Sequence, residues 1–145
     1  NGKTALHTEY TENVKIIGRG LLDCGEVLGG DNKRKHVVNV GNASDVLLEG
    51  LTVINSNTWS VCGYNSDNVR FDKNLLLSYR TYSDGLMFSE CTNSSGRYNF
   101  VRTGDDAAIE QAARAGRAAT PQVPSAATAC SNTTTYGPIK VRAIA

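Results

Sequence analysis

The sequence predicts an all-β fold of the parallel β-helix type. Up to residue 106 the apolar residues lie in short stretches rich in β-branched side chains. None of these stretches is long and none has the period of about 3.6 residues that an amphipathic helix requires. Asn, Gly and Ser separate them, as tight corners require. A motif also recurs about every 20–25 residues, and stacked repeats bury an inner face that no single repeat can bury alone. An antiparallel sandwich is the alternative for strands this short.

The repeat shows most clearly as a polar residue followed by Asn or Asp and then Val. It occurs as ENVKI, SDVLL and DNVRF, which begin at positions 12, 44 and 67. One step of the repeat leads from Asp45 to Asn68. A second step of nearly equal length leads from Asn68 to Asn93. The step from Asn13 to Asp45 is longer, which an inserted loop at 25–35 explains. Asn side chains at the repeated corners are expected to form ladders between coils.

Individual strands and the division of the chain follow from local composition. The strand-like stretches are residues 37–40, 46–53, 60–64, 69–76 and 85–89. Residues 1–106 contain two alanines, whereas residues 107–129 contain ten. We therefore expect β-helix coils over residues 1–106. Residues 107–145 should form an atypical Ala/Thr-rich tail, irregular or with a terminal strand near 136–145.

Charge and cysteine content exclude several classes of function. The 15 basic and 14 acidic residues give a net charge of +1, so we expect neither a nucleic-acid nor a membrane partner. No apolar run is long enough for a membrane-spanning helix. Four cysteines, at positions 24, 62, 91 and 130, lack metal-site spacing and are expected to be small core residues, with one or two bridges left open. Three glycosylation sequons, at Asn42, Asn93 and Asn132, weakly favour a secreted protein.

Three aspartates are the candidate catalytic residues. Asp84 precedes the adjacent pair Asp105 and Asp106 by close to one coil of the repeat. Equivalent positions on adjacent coils lie about 4.8 Å apart, so the three carboxylates should converge on one patch. Like charges this close raise at least one pKa, and glycoside hydrolysis needs one protonated acid beside an ionised carboxylate. The alternative is that these aspartates only occupy turns, where Asp-Gly and Gly-Asp are common.

Several stretches resemble the polygalacturonase family (glycoside hydrolase family 28) and related pectinase-type β-helix hydrolases. Tyr82-Ser83-Asp84-Gly85 resembles the family's Asn-Thr-Asp-Gly, and Gly104-Asp105-Asp106 resembles its Gly-Asp-Asp. The other resembling stretches are NVKIIGRGLLD from position 13, DVLLEGLTV from position 45, NSNTWS from position 55 and NSDNV from position 65. Together they span about two thirds of the chain, and their order is more specific than any one of them.

The resemblance implies a right-handed β-helix and hydrolysis by single displacement with inversion, without a cofactor or metal. Asp105 would be the general acid, and Asp84 and Asp106 would orient and deprotonate the attacking water. The acid and base should then have the wider separation of inverting enzymes. A polysaccharide would be the substrate, and the protein would be secreted.

The chain departs from the family where the sugar should be held. Tyr82 and Ser83 replace Asn-Thr, and no histidine follows His36, so the family's Gly-His-Gly is missing. Pro138-Ile139-Lys140 matches the family's Arg-Ile-Lys only in part, because it lacks the arginine. Family catalytic domains are also longer. Two hypotheses follow from this, a truncated piece and a change of reading frame after Asp106.

The candidate substrate-binding residues are polar or aromatic and lie near the acidic motifs. They are Tyr82, Arg80, Arg102 and Lys140. Trp59, by contrast, is expected to be buried between coils, and the Lys33-Arg34-Lys35-His36 cluster to be a solvated loop or an anionic-sugar contact.

Three other functions are alternatives to a polygalacturonase-like hydrolase. The missing basic residues favour a β-helix hydrolase of neutral α-glucans, of the dextranase or isopullulanase type. A pectate-lyase-like enzyme would hold Ca²⁺ on the same carboxylates and use Arg80 or Arg102 as the base. A non-catalytic carbohydrate-binding β-helix would bind sugar without turnover. An uncapped coil would also expose strand edges and favour self-association.

Overall fold

The computed structural model describes residues 4–25 and 36–111, together with the backbone of three further strands. The described residues form strands and no helix, so none of them forms a helix that could span a membrane. The strands, in chain order, are Leu6–Glu9 (β1), Lys15–Ile17 (β2), Leu21–Asp23 (β3), Val38–Gly41 (β4), Ser44–Glu49 (β5), Thr52–Ile54 (β6), Val61–Tyr64 (β7), Asp67–Asp72 (β8), Leu75–Leu77 (β9), Leu86–Ser89 (β10), Ser94–Arg97 (β11), Phe100–Arg102 (β12), Ala108–Gln111 (β13), Thr128–Ser131 (β14), Thr134–Tyr136 (β15) and Ile139–Arg142 (β16).

All strand pairs are parallel, and every third strand returns to the same sheet. The first sheet has the order β1-β4-β7-β10-β13-β16. The second sheet contains β2, β5, β8, β11 and β14, and the third contains β3, β6, β9, β12 and β15. Each coil therefore contributes one strand to each of three sheets. This strand order is that of a parallel β-helix and confirms the predicted fold class.

The coil steps predicted from the repeat match the observed register. Ser44 pairs with Asp67, and Asp67 bridges to Thr92, so the corner residues that follow them lie in one column. The members of this column all have positive φ: Asn13 (56°), Asp45 (54°), Asn68 (51°) and Asn93 (50°). Asn and Asp tolerate this left-handed conformation better than other side chains. Asn68 also donates its amide to Asp45 Oδ1 at 2.5 Å, so the expected ladder exists at this corner.

The strands predicted at 46–53 and 69–76 were wrong in extent, because each is interrupted by a corner. The first is divided into β5 and β6 and the second into β8 and β9. Gly50 (φ 84°) and Lys73 (φ 56°) occupy these corners. A Cβ on Gly50 would lie 2.4 Å from the carbonyl oxygen of Gly18, so only glycine fits between these coils. The apolar side chains on both sides of the corner face the core, which made the two strands look continuous in sequence.

The interior of the coils is a stack of apolar side chains in register. Val38 pairs with Val61 and Val61 with Leu86, and all three are fully buried. Phe71 and Phe88 stack across the core with ring centroids 4.9 Å apart. The cysteines with described side chains are free, as predicted for core residues: two are buried (Cys62 and Cys91) and Cys24 is half-buried. This core holds the coils at a fixed spacing, which positions the loops between the sheets.

Two buried asparagines hold the corner that leads into the third sheet. Asn74 and Asn99 are each 2% exposed. The Asn74 amide donates to the Leu48 carbonyl at 3.3 Å and to Asn99 Oδ1 at 3.1 Å, and its Oδ1 accepts the Leu51 N–H at 3.1 Å. The Asn99 amide in turn donates to a backbone carbonyl in the coil before it, at 2.7 Å. Asn side chains therefore satisfy backbone groups inside the core as well as at exposed corners.

Strands also occur beyond residue 106, where the tail is predicted to begin. β13 pairs with β10, and β16 pairs with β13. β14 and β15 pair with β11 and β12 in the same parallel manner. The expected terminal strand is present as β16. The division of the chain at residue 107 stays a prediction, and most of the expected insertion at 25–35 lies outside the described residues.

Candidate active site

The three aspartates lie in the connections that lead from the third sheet back into the first. Asp84 lies two residues before β10, and Asp106 two residues before β13. Leu86 pairs with Ala108, so the register places Asp84 beside Asp106. Asp84, Asp105 and Asp106 each offer one carboxylate oxygen such that all three oxygens lie within 4.8 Å of one another. The convergence expected from the one-coil spacing is therefore present.

Backbone and hydroxyl hydrogen bonds fix the two aspartate loops to each other. The Gly85 N–H donates to the Asp106 carbonyl at 2.8 Å, and the Asp105 N–H donates to the Ser83 carbonyl at 3.2 Å. The Ser83 hydroxyl is fully buried, donates to the Arg80 carbonyl at 2.6 Å and accepts the Gly104 N–H at 3.1 Å. Ser83 thus closes its own loop and anchors the next one, which keeps the carboxylates at a fixed separation.

Glycine is required beside the aspartates for close packing of the two loops. A Cβ on Gly85 would lie 2.2 Å from the Ala107 carbonyl oxygen. A Cβ on Gly104 would lie 2.3 Å from the Arg80 carbonyl oxygen. The glycines of the two motifs therefore allow adjacent coils to approach until the carboxylates meet.

Asp84 has a carboxyl group whose pKa is shifted from its ordinary value. It is 9% exposed, and burial, together with the negative charges of Asp105 and Asp106, raises its pKa to about 6. Its Oδ1 accepts the Asp106 N–H at 3.0 Å, and this bond opposes the rise in pKa. The Trp59 indole, a hydrogen-bond donor to the same carboxyl group, opposes it further. Asp84 therefore exchanges a proton near neutral pH, as catalytic carboxyl groups do.

The Asp84→Asn variant is expected to be more stable than the wild type at pH 7, by about 1–2 kcal/mol, which is part of the free energy that the raised pKa represents. The pKa of Asp84 is about 6 in the folded protein against 3.8 for an unperturbed group. The folded state therefore holds a proton that the unfolded state releases, and stability falls as pH rises from about 4 to 6.

Urea unfolding of both proteins at pH 4 and pH 7 measures this effect. The difference between variant and wild type should be present at pH 7 and shrink at pH 4, where Asp84 is neutral in the folded wild type and about half protonated in its unfolded state. An equal difference at both pH values would contradict the raised pKa.

A histidine and a tryptophan precede Asp84 in the same register column. Val38 pairs with Val61 and Val61 with Leu86, so His36, Trp59 and Asp84 occupy equivalent positions on three successive coils. The rings of His36 and Trp59 stack with centroids 4.2 Å apart and planes at 21°. Both side chains are half-buried. Trp59 is therefore not enclosed between coils as expected, because its ring lies outside the first sheet and lines a groove there.

The repeat spacing could have identified this pair. The step from His36 to Trp59 equals the step from Asp45 to Asn68. The step from Trp59 to Asp84 equals the step from Asn68 to Asn93. The steps that relate the asparagine corners therefore also align the two aromatic residues with Asp84.

The structure places the predicted substrate-binding residues in different parts of the coils. Arg80 donates from Nη2 to the Gly25 carbonyl at 3.0 Å, so its guanidinium reaches toward the first coil. Tyr82 is 53% exposed, two residues before Asp84, and Arg102 is exposed on β12 in the third sheet. Lys140 lies in β16, paired with Ile109, and its side chain lies outside the described part of the chain. Their roles in binding stay predictions.

The same carboxylates have the chemistry of a cation site. Oxygen ligands suit Ca²⁺ and Mg²⁺, and three carboxylate oxygens within 4.8 Å of one another can bind one ion. The expectation that the protein needs no metal therefore stays a prediction, and chelation tests it.

Comparison with known proteins supports the fold. The sequence matches no protein-family model and no curated protein. A solved structure from Parabacteroides merdae ATCC 43184, described as a "putative glycosyl hydrolase", superposes with a TM-score of 0.68 at 14% sequence identity. The match covers 89% of this chain and 60% of that protein, so this chain spans less than two thirds of its neighbour's length.

Proposed function

We propose that this protein hydrolyses glycosidic bonds in a polysaccharide. The observation that carries the proposal is the cluster of Asp84, Asp105 and Asp106, in which burial and mutual charge raise the pKa of Asp84 to about 6. Cleavage of a glycosidic bond with inversion requires one carboxyl group that donates a proton and another that accepts one, and a raised pKa makes Asp84 a stronger proton acceptor. The neighbour of the same fold is described as a "putative glycosyl hydrolase", which supports the same reaction class.

The proposed mechanism is a single displacement with inversion at the anomeric carbon. Asp105 is the more exposed carboxyl group and donates a proton to the leaving glycosidic oxygen. Asp84 and Asp106 are buried, and they orient and deprotonate the attacking water. The three carboxylate oxygens lie within 4.8 Å of one another, so the wider separation of roughly 6.5–9.5 Å that was expected for an inverting pair is not found. The water therefore binds on the two buried carboxylates rather than in a wide gap between opposed groups.

The pH dependence follows from the role given to Asp84. As a base it must be ionised, and its pKa of about 6 means that kcat/KM should fall about tenfold per pH unit below pH 6. A pH–rate profile measures this fall of kcat/KM on the acidic side. If Asp84 were the acid instead, activity would fall as the pH rises above 6, so the direction of the limb decides between the two roles.

Reducing-sugar release from polygalacturonate, dextran, pullulan and xylan tests the proposed function. The assay is run in EDTA and again with added Ca²⁺, alongside absorbance for unsaturated sugar ends. Metal-independent release without unsaturated products supports a hydrolase. The polymer that is cleaved also separates a polygalacturonase-like enzyme from one that acts on neutral α-glucans.

Two outcomes would replace this proposal. Calcium-dependent unsaturated products would show a lyase, although the bond from Arg80 to Gly25 directs that arginine away from the role of base. Binding to a polymer without cleavage, by a protein shown to be folded, would show a carbohydrate-binding module. Because such polymers are extracellular, the proposed function carries with it a secreted location.

A further inference from the structure

We propose that His36 and Trp59 form a sugar-stacking platform beside the aspartate cluster, so that the glycan lies along the first sheet, across successive coils. The inference rests on the proposed function. It adds a binding subsite and the direction in which the bound glycan runs. It stands on three observations, which are the register column, the groove and the contact between Trp59 and Asp84.

The register column aligns the platform with the reacting groups. His36, Trp59, Asp84 and Asp106 occupy equivalent positions on four successive coils. Adjacent coils lie about 4.8 Å apart, so His36 is about 10 Å from Asp84 along the axis of the β-helix. This distance exceeds a single sugar ring and suits a short oligosaccharide. A chain cleaved at Asp84 and Asp106 that follows this column therefore passes over the two rings.

The groove beside the platform has the lining that sugars prefer. It has a volume of about 490 Å³ and is lined by residues that include His36, Trp59, His7, Asn39, Tyr64 and Met87. Because His36 and Trp59 cover one face of each other, a pyranose ring can pack only on the opposite face of either ring, and the amide, hydroxyl and imidazole groups offer hydrogen bonds to sugar hydroxyls. Burial lowers the pKa of His36 to about 4, so the ring is neutral near pH 7 and can stack without a desolvated charge.

The contact between Trp59 and Asp84 connects the platform to the cluster. Trp59 precedes Asp84 by one coil in the register column, and its indole N–H lowers the pKa of the Asp84 carboxyl group, while its ring stacks on His36. A sugar on the platform therefore touches the side chain that also orients the proposed base. This places the bound chain next to the bond that is cleaved.

Tryptophan fluorescence tests the platform directly, because Trp59 is the sole tryptophan in the chain. The Asp105→Asn protein is titrated with oligosaccharides prepared from each polymer of the panel. We expect a saturable change in emission with oligomers long enough to reach His36. The His36→Ala variant should bind them about three- to tenfold more weakly, as the loss of one aromatic partner implies.

Two further variants serve as controls for this titration. His36→Phe retains an aromatic face and should keep near wild-type affinity, which separates stacking from a general loss of structure. Tyr98→Asn removes an exposed aromatic ring at a corner between the second and third sheets and should change nothing.

The outcomes distinguish this inference from the proposed function. Emission that stays constant with an oligomer the wild type cleaves would overturn the platform and leave the hydrolase intact. Unchanged affinity in His36→Ala would overturn it equally. A saturable change without hydrolysis by the wild type would support the platform and overturn the hydrolase.

Discussion

The Asp105→Asn variant is expected to lose about 10²–10⁴-fold in kcat/KM on a natural polysaccharide while remaining folded. An amide cannot donate the proton that the leaving glycosidic oxygen needs. Asp105 is held through its backbone N–H, which bonds the Ser83 carbonyl, so the loop should survive the change of side chain. Reducing-sugar release under saturating and limiting substrate measures the loss.

Two comparisons separate a general acid from a structural residue. A nitrophenyl glycoside, whose leaving group needs little protonation, should be cleaved by Asp105→Asn with a much smaller loss, whereas Asp84→Asn should be equally inactive on both substrates. Asp45→Asn, at an exposed corner in which Asn is tolerated, should keep wild-type activity. Full activity of Asp105→Asn on the polysaccharide would contradict its role as acid.

The Asn74→Ala variant is expected to lose about 3–5 kcal/mol of unfolding free energy, a large part of the total stability of a domain. Asn74 is 2% exposed, and its side chain bonds the Leu51 N–H, the Leu48 carbonyl and Asn99 Oδ1. Its removal leaves these groups buried and without that partner, and each such group costs about 1–3 kcal/mol.

Urea unfolding measures this loss. Asn39→Ala is the matched control, because Asn39 makes an exposed hydrogen bond to His7 and should cost less than about 0.5 kcal/mol. A loss below about 1 kcal/mol in Asn74→Ala would show that water replaces the amide and that the buried ladder does not stabilise the coils.

The position of the aspartate cluster was predictable because a parallel register converts sequence spacing into spatial proximity. Residues one coil apart must lie about 4.8 Å apart in such a sheet. The one-coil spacing between Asp84 and Asp106 was therefore enough to bring them together. The same argument predicted the asparagine corners, since Asn and Asp tolerate the positive φ that a tight corner requires.

Corners and side-chain directions were less predictable. Gly50 and Lys73 interrupt strands whose apolar pattern continues on both sides, so hydrophobic alternation alone does not reveal the corner. The guanidinium of Arg80 reaches Gly25 in a much earlier part of the chain, and sequence proximity to Asp84 gave no sign of this. Long flexible side chains select partners in three dimensions, and no local pattern encodes that choice.

The pairing of His36 with Trp59 shows a further limit. Both residues lie just before a strand of the first sheet, in a position where the ring can point into the core or out to the groove. Their one-coil spacing brings them together, but it does not say on which side of the sheet they stack.

The anomeric configuration of the first product tests the central proposal most directly. Proton NMR, recorded during the first minutes of cleavage of whichever polymer the protein hydrolyses, distinguishes the two anomers before they equilibrate. Attack by a water held on Asp84 and Asp106 predicts a product with inverted configuration. A product with retained configuration, or an unsaturated sugar end, would contradict the three-aspartate mechanism.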